Sequence, residues 1–183
     1  MLLKKKLNMT YSNYIKENRN IEKVSAGILV YRKNKKTNNI EVLLVHPGGP
    51  YWQNKDWGAW HIPKGGVDKG EDYLITAIRE FEEETGLNLT KNDIKKLRYF
   101  CRVKSKGGKL VHIYILEKDF KKNKFGSSKE TIEVEWPPNS GIKKIYPEND
   151  KVEYIELELA KKKIIPYQLP VLLKLEKVIL NSP

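Results

Sequence analysis

Apolar and polar residues follow one another along the first third of the chain in a pattern that predicts strands. Residues 24–32 and 40–46 are rich in Val, Ile and Leu, and a short polar stretch separates them. Two such runs predict a β-hairpin. Residues 47–58 are irregular and rich in Gly, Pro and aromatic side chains, and loops of this length usually carry function. We expect residues 59–63 to form a short strand that runs into Lys64-Gly65-Gly66.

A helix is predicted over residues 72–85, because Leu74, Ile78 and Phe81 recur at the spacing of one helical face. Gly86 follows its last turn, where glycine commonly ends a helix. The later apolar runs predict a second hairpin, two more strands and two closing helices, over residues 94–104 with 110–116, 130–136, 151–155, 157–164 and 167–180. This order of elements indicates an α+β fold in which helices pack on a mixed sheet.

The length of 183 residues fits one domain, which we expect over residues 23–183, after a polar N-terminal extension at residues 1–22. Cys101 is the one cysteine, so an intrachain disulfide is excluded. The sequence contains neither the apolar core of a signal peptide nor a run long enough to span a bilayer. We therefore expect a cytoplasmic protein that is not inserted in a membrane.

The chain is strongly basic, with 35 Lys and Arg against 23 Asp and Glu and a formal net charge of +12. Such an excess attracts polyanions, including nucleotides, nucleic acids and anionic membrane surfaces. The alternative is that the lysines are solvated surface, because they are spread along the chain and no run is long enough to form a nucleic-acid arm.

The predicted helix carries an acidic cluster in its last turns, at Glu80, Glu82, Glu83 and Glu84. Carboxylates are unfavourable at a helix C-terminus, and like charges at these spacings repel by roughly 0.2–0.5 kcal/mol per pair. A local rule broken without compensation indicates a functional site. With the apolar stripe packed inward, Glu80, Glu83 and Glu84 would lie along one edge of the helix, and such oxygen clusters bind hard cations, above all Mg²⁺. The alternative for a glutamate-rich helix is a solvated acidic face.

The residues around the cluster decide between these alternatives. Gly65, five residues, Glu71, seven residues and the run Arg79 to Leu87 (REFEEETGL) resemble the Nudix hydrolase signature, GX5EX7REUXEEXGU with U apolar, at every fixed position. The resemblance implies an α/β/α sandwich around a mixed β-sheet. It also implies a Mg²⁺-dependent hydrolase that cuts a phosphoanhydride bond, with Mn²⁺ as the alternative cation.

The resemblance further assigns roles to residues. The metal ligands it implies are the backbone carbonyl of Gly65 and the carboxylates of Glu80 and Glu84. Glu83 would be either a further ligand or a group that positions one. These three glutamates and Arg79, which would orient a glutamate, form the expected catalytic set. Glu71 would support the loop, and Glu82, at a variable position, would only be solvated.

Residues outside the helix are candidates for the general base and for substrate binding. Family members differ in the base, which is expected to be a helix glutamate or else Glu133 or Glu135, although exposed strand carboxylates are the alternative for these two. Lys64 can contact a phosphate as a point charge. Trp57 and Trp136 can stack on a nucleobase, the alternative being that they anchor loops or the core.

The substrate is less determined than the chemistry. Residues 60–65, Trp-x-x-Pro-Lys-Gly, are similar to diadenosine polyphosphate hydrolases and some nucleoside triphosphate pyrophosphohydrolases, and residues 43–66 with 135–138 resemble predicted bacterial Nudix pyrophosphohydrolases. We favour a dinucleoside polyphosphate or a nucleoside triphosphate, that is, a nucleoside diphosphate linked to another moiety. The alternatives are an RNA 5′-end pyrophosphohydrolase and a non-catalytic nucleotide-binding module. The oligomeric state stays open.

Overall fold

The computed structural model describes residues 24–121, 128 and 130–181, so the extension expected at residues 1–22 lies outside the described part. Eight strands are present within it: β1 (Val24–Lys33), β2 (Ile40–Pro47), β3 (Lys64–Gly66), β4 (Arg98–Lys104), β5 (Leu110–Glu117), β6 (Thr131–Glu135), β7 (Lys143–Pro147) and β8 (Asn149–Glu156). The helices are α1 (Tyr73–Thr85), α2 (Lys91–Lys96), α3 (Leu157–Lys163) and α4 (Leu169–Leu180), with a short 3-10 turn, Pro166–Gln168, before α4.

Six strands form one mixed sheet in the order β4-β5-β1-β2-β8, with β3 paired to β1. The pairing of β1 with β5 is parallel, whereas the other pairs are antiparallel. The hairpin predicted from the first two apolar runs is the antiparallel pair β1 and β2. Strands β6 and β7 form a separate two-stranded sheet. The mixed sheet confirms the α+β fold.

Helices pack on both faces of the large sheet, because successive side chains of a strand point to opposite faces. Leu29 of β1 belongs to the core that α3 and α4 cover, together with Leu157 and Leu172. Its neighbours in β1 belong to the opposite core, where α1 contributes Phe81. The result is the predicted α/β/α sandwich. Among the helices of the described ranges, none combines the length and apolarity that crossing a bilayer requires.

Helix α1 has the ends that the sequence predicts. Asp72 is its N-cap, and the Asp72 side chain accepts a hydrogen bond from the Leu74 N–H at 2.8 Å. Gly86 ends the helix at φ 68°, a left-handed conformation that glycine adopts at little cost. The buried face is displaced from the predicted one. Leu74 and Ile78 are half-buried, while Ala77, Phe81 and two of the glutamates are buried.

The main differences from the sequence expectations concern three strands. The strand expected at 94–104 begins at Arg98, because residues 91–96 form α2, which Thr90 and Asp93 start with a reciprocal capping box. Residues 59–63 form only the isolated bridges Val45–His61 and Trp60–Ile164, and the strand itself is β3. Strand β7 was not predicted, because its exposed, lysine-rich sequence lacks the alternation of a half-buried strand.

Candidate active site

The guanidinium group of Arg79 connects the two halves of the motif. It binds Glu71 through two nitrogens, Nε to Oε1 at 3.2 Å and Nη2 to Oε2 at 3.1 Å. Its Nη1 donates to Glu80 Oε1 at 2.8 Å and to Glu83 Oε2 at 3.0 Å, and Nη2 reaches the Gly66 carbonyl at 3.2 Å. The two bonds from Arg79 to Glu71 lower the pKa of Glu71 to about 2. Arg79 therefore holds three carboxylates and the β3 backbone in one arrangement.

Of the three glutamates expected along one edge of the helix, two are buried in the protein. Glu80 is 9% exposed and Glu84 is 2% exposed. Glu84 Oε2 accepts the backbone N–H of Lys64 at 2.8 Å, and a Cβ atom at Gly65 would overlap the Glu80 carboxyl group. Glycine at position 65 thus lets β3 approach α1 closely. Glu83 remains partly accessible to solvent.

Burial also controls the protonation of these carboxyl groups. Desolvation raises the pKa of Glu84 to about 8, opposed by the charge and the backbone N–H of Lys64. Desolvation raises the pKa of Glu80 too, and Arg79 opposes that shift. Because burial disfavours the ionised form of both carboxyl groups, a cation beside them would favour ionisation and is electrostatically favoured there.

A second pair of carboxyl groups, Glu130 and Glu148, lies beside the motif glutamates. Burial raises the pKa of Glu148, and a hydrogen bond between the Glu148 and Glu130 carboxyl groups raises it further. The charge of Glu148 contributes to the raised pKa of Glu84, and that of Glu130 contributes to the raised pKa of Glu80. The Glu148 N–H also donates to the Glu130 carbonyl at 2.9 Å. Sequence reasoning missed both residues, since no spacing rule connects them to the helix.

The predicted base candidates lie on the β6–β7 hairpin. Glu133 forms an ion pair with Lys143 at 2.7 Å, and both side chains are exposed. Glu135 Oε1 accepts the backbone N–H of Gly141 at 2.8 Å. Both carboxylates are therefore bonded within the hairpin, on its exposed side.

Of the predicted substrate-binding side chains, only Lys64 is seen to interact with the buried carboxyl groups. Lys64 is half-buried, and its charge acts on Glu84 and Glu148. Trp57 is 64% exposed. Trp136 is half-buried, with its ring edge-on to Tyr51 at a centroid distance of 5.3 Å. Trp57 therefore presents an open aromatic face, whereas Trp136 is held by a neighbouring ring.

Glu82 is more than the solvated residue that the sequence suggested. Its Oε1 accepts the backbone N–H of Leu89 at 2.8 Å, and the side chain is half-buried. The carboxylate fastens the chain beyond Gly86 onto the end of α1. Its role is structural, because it satisfies the backbone N–H of a residue in the segment that follows the helix.

His61 contacts Asn149, the residue that follows Glu148 in the chain. The His61 Nδ1 is 3.2 Å from the Ile62 carbonyl, and Nε2 is 3.1 Å from Asn149 Oδ1. Desolvation and the charge of Lys64 lower the pKa of His61 to about 3, so the ring is neutral. A neutral ring donates through one nitrogen. When Nδ1 donates to the Ile62 carbonyl, His61 Nε2 needs a donor. A rotation of the Asn149 amide by 180° would supply one, because it would bring Nδ2, which has no partner within the described residues, to His61 Nε2.

The NUDIX domain family matches residues 22–156. The chain belongs to the Nudix family. Solved Nudix structures share its fold. An Ap4A hydrolase from C. elegans superimposes with a TM-score of 0.58 over 86% of this chain and 99% of that one, at 23% identity. A MutT/nudix family protein from Enterococcus faecalis gives a TM-score of 0.60 over 93% of this chain and 70% of that one, at 13% identity.

Curated Nudix relatives match shorter segments. An RNA pyrophosphohydrolase from Caulobacter vibrioides is 43% identical over 54 residues, which are 27% of this chain and 31% of the relative. Nudix hydrolase 7 from Arabidopsis thaliana is 41% identical over 64 residues, or 35% of this chain and 21% of the relative. The chain thus spans about a third or less of the length of these relatives.

The residues of this Nudix site fit a divalent cation that shares its coordination with substrate. Desolvation is the main cause of the raised pKa values of Glu80, Glu84 and Glu148, and the charge of Glu80 raises those of Glu84 and Glu148 further. A cation among these carboxyl groups would relieve that repulsion. The described residues contain no group of three or more Asp, Glu, His or Cys side chains that forms a closed cage for a metal ion. Mg²⁺ does not need such a cage, because it retains several waters and binds substrate phosphates. The donors are oxygens, which suits Mg²⁺ or Mn²⁺.

Proposed function

We propose that this Nudix protein is a Mg²⁺-dependent hydrolase that cuts a phosphoanhydride bond in a nucleoside diphosphate linked to another moiety. The observation that carries the proposal is the placement of Glu80 and Glu84, buried against Gly65 and the backbone of Lys64. Buried carboxyl groups that lack full compensation are costly, and a cation with a phosphate substrate compensates them. Mn²⁺ is the alternative cation, and the cytoplasm is the proposed compartment.

The metal ligands in this proposal are the Gly65 carbonyl and the carboxylates of Glu80, Glu84 and, on the accessible side, Glu83. When bound, the cation neutralises phosphate oxygens and lowers the pKa of the attacking water. Arg79 keeps Glu80 and Glu83 oriented through its two bonds from Nη1. The Lys64 ammonium contributes positive charge for a phosphate at the same end of the site.

The proton of the attacking water requires a carboxylate acceptor. We propose Glu148, hydrogen-bonded to Glu130, because burial raises its pKa and its charge acts on Glu84. A raised pKa brings a carboxyl group closer to the range in which it exchanges protons near neutral pH. Glu133 and Glu135 are the weaker alternative, since the hairpin already binds both carboxylates.

The favoured substrates are a dinucleoside polyphosphate and a nucleoside triphosphate. The exposed ring of Trp57 and the pair of Trp136 with Tyr51 offer aromatic surfaces for a nucleobase. Helices α3 and α4 lie beyond the family match but contribute Leu157 and Leu172 to the core. We therefore propose that residues 23–183 act as one domain.

The decisive experiment is a hydrolysis panel of nucleoside triphosphates, dinucleoside polyphosphates and 5′-triphosphorylated RNA with Mg²⁺ or Mn²⁺ in ¹⁸O-labelled water. Product masses identify the substrate, and the position of ¹⁸O identifies the phosphorus that water attacks. Hydrolysis that requires the metal supports the proposal. No product from any compound would favour the alternative of a nucleotide-binding module.

The second candidate function is removal of pyrophosphate from the 5′ end of RNA. It is favoured by the curated relative named RNA pyrophosphohydrolase, which matches 27% of this chain, and by the net charge of +12. RNA contacts release counterions, so this activity would fall steeply as salt rises, whereas hydrolysis of a small nucleotide would respond less. Turnover of triphosphorylated RNA that is indifferent to ionic strength would count against this candidate.

A further inference from the structure

A cavity of about 630 Å³ opens where the carboxyl ends of β1 and β5 meet the end of α2 and the start of β4. Exposed cations from two separate segments line it, and we call it the basic cavity: Lys33, Lys35, Lys95, Lys96 and Arg98. All five side chains are exposed. The volume lies in the range of pockets that hold small molecules or part of a larger ligand.

The positive charge of the basic cavity is poorly compensated. Its lining also contains Arg32 and Lys118, but Arg32 is paired with Asp119 at 2.7 Å and Lys118 with Asp93 at 2.6 Å. Over residues 24–121, 128 and 130–181, none of the five exposed cations forms an ion pair. Glu117 is the remaining carboxylate of the lining. Like charges held around one concavity repel unless an anion enters it.

The chemistry of the lining points to phosphates. Lys and Arg side chains contact phosphate oxygens and carry affinity without reading sequence. Among the described residues of the lining, none is an aromatic side chain on which a base could stack or an apolar side chain that could insert into a bilayer. A concave site also suits a chain of phosphates better than the flat surface of a membrane. The expected ligand is therefore the backbone of a nucleic acid.

The basic cavity is separate from the metal site. In β1, Ala26 pairs with Gly65 at the metal site, whereas Lys33 lines the basic cavity. At about 3.3 Å per residue, these two positions of the strand are roughly 20 Å apart. We propose that the basic cavity binds consecutive phosphates of a nucleic-acid backbone, independently of base sequence. This binding goes beyond the proposed hydrolysis and does not require the catalytic glutamates or a metal.

The test measures binding in EDTA, so that hydrolysis plays no part. The probe is a fluorescent 12-nucleotide single-stranded RNA with a 5′-hydroxyl, and anisotropy is read with the full chain from 50 to 300 mM salt. The variant K95Q/K96Q/R98Q removes three cavity charges. The matched control K106Q/K162Q/K177Q removes three exposed lysines that are outside the cavity lining. Thermal melting verifies that both variants are folded.

The cavity variant is expected to bind the RNA about 10-fold more weakly than the wild type at 50 mM salt, while the control changes by about twofold or less. For the cavity variant, the slope of log binding constant against log salt concentration should be less steep by about 2, because each contact with a phosphate of a single strand contributes about 0.7 to that slope. Equal losses in both variants would overturn the proposal, because they indicate a diffuse charge effect. Loss of tripolyphosphate or anionic-vesicle binding with unchanged RNA binding would also overturn it, as would the absence of RNA binding by the folded wild type.

Discussion

The backbone N–H of Lys64 donates to Glu84 Oε2 at 2.8 Å, which joins the β3 loop to the last turn of α1. Glu84 is thereby held inside the protein, and its pKa rises to about 8 because burial disfavours the ionised form. The same contact keeps the Lys64 side chain near the carboxyl groups of Glu84 and Glu148, on which its charge acts. One hydrogen bond between residues 20 positions apart in the sequence thus connects helix α1 with the candidate phosphate-binding residue.

The substitutions Glu80→Gln and Glu84→Gln are expected to remove nearly all metal-dependent turnover, by about 10³-fold, because ligation of the metal supplies several kcal/mol of charge stabilisation. The folded state should persist, since the amide preserves the shape of each side chain and removes a buried charge. Steady-state kinetics and thermal melting measure the two effects. Glu153→Gln, at an exposed position of β8, is the control and should retain activity. Near wild-type turnover in either helix variant would refute the ligand assignment.

Gly65→Ala and Gly66→Ala form a matched pair in adjacent residues. A Cβ atom at Gly65 overlaps the Glu80 carboxyl group, while one at Gly66 has no described atom within 4 Å. We expect Gly65→Ala to lower kcat/KM by about 10-fold or more, because small displacements of catalytic groups are costly. Gly66→Ala should stay within about threefold of the wild type. Equal effects of the two substitutions would contradict the role of the close approach.

The general base can be identified by comparing three substitutions. Glu148→Gln should lower kcat by about 10²-fold or more, in the range that general-base catalysis contributes. Glu133→Gln should reduce stability only slightly, since its ion pair with Lys143 is exposed, and kcat should be nearly unchanged. Glu135→Gln should behave similarly. A large loss of kcat in Glu133→Gln or Glu135→Gln, with Glu148→Gln active, would show that the general base is on the hairpin and not at Glu148.

His61 should make stability depend on pH. Its pKa is about 3 in the folded state against 6.5 as the ordinary value, so the unfolded chain binds the proton more tightly. The stabilisation from the neutral ring is complete above about pH 6.5 and is lost progressively as pH falls towards about 3. Urea unfolding of the wild type and of His61→Gln between pH 7 and pH 4 measures the difference. The variant should lose less stability on acidification, and identical slopes would show that His61 does not titrate as described.

Local features of the sequence were sufficient to identify helix α1 and the motif. The caps Asp72 and Gly86, the apolar positions and the fixed spacing from Gly65 to Leu87 all lie within one strand, loop and helix. Such features depend on hydrogen bonds and side-chain geometry between near neighbours, which sequence spacing reports directly. The first hairpin was predictable for the same reason.

The sequence by itself therefore determined the family, the helix and which glutamates belong to the motif. Only the tertiary structure decided that Glu80 and Glu84 are buried, that Glu148 and Glu130 accompany them, and that cations from separate segments meet in the basic cavity. These relationships arise from pairings such as that of β1 with β5, which are remote in the chain. Periodicity shows which face of an element is apolar, but burial of a particular carboxyl group depends on which other elements pack against it.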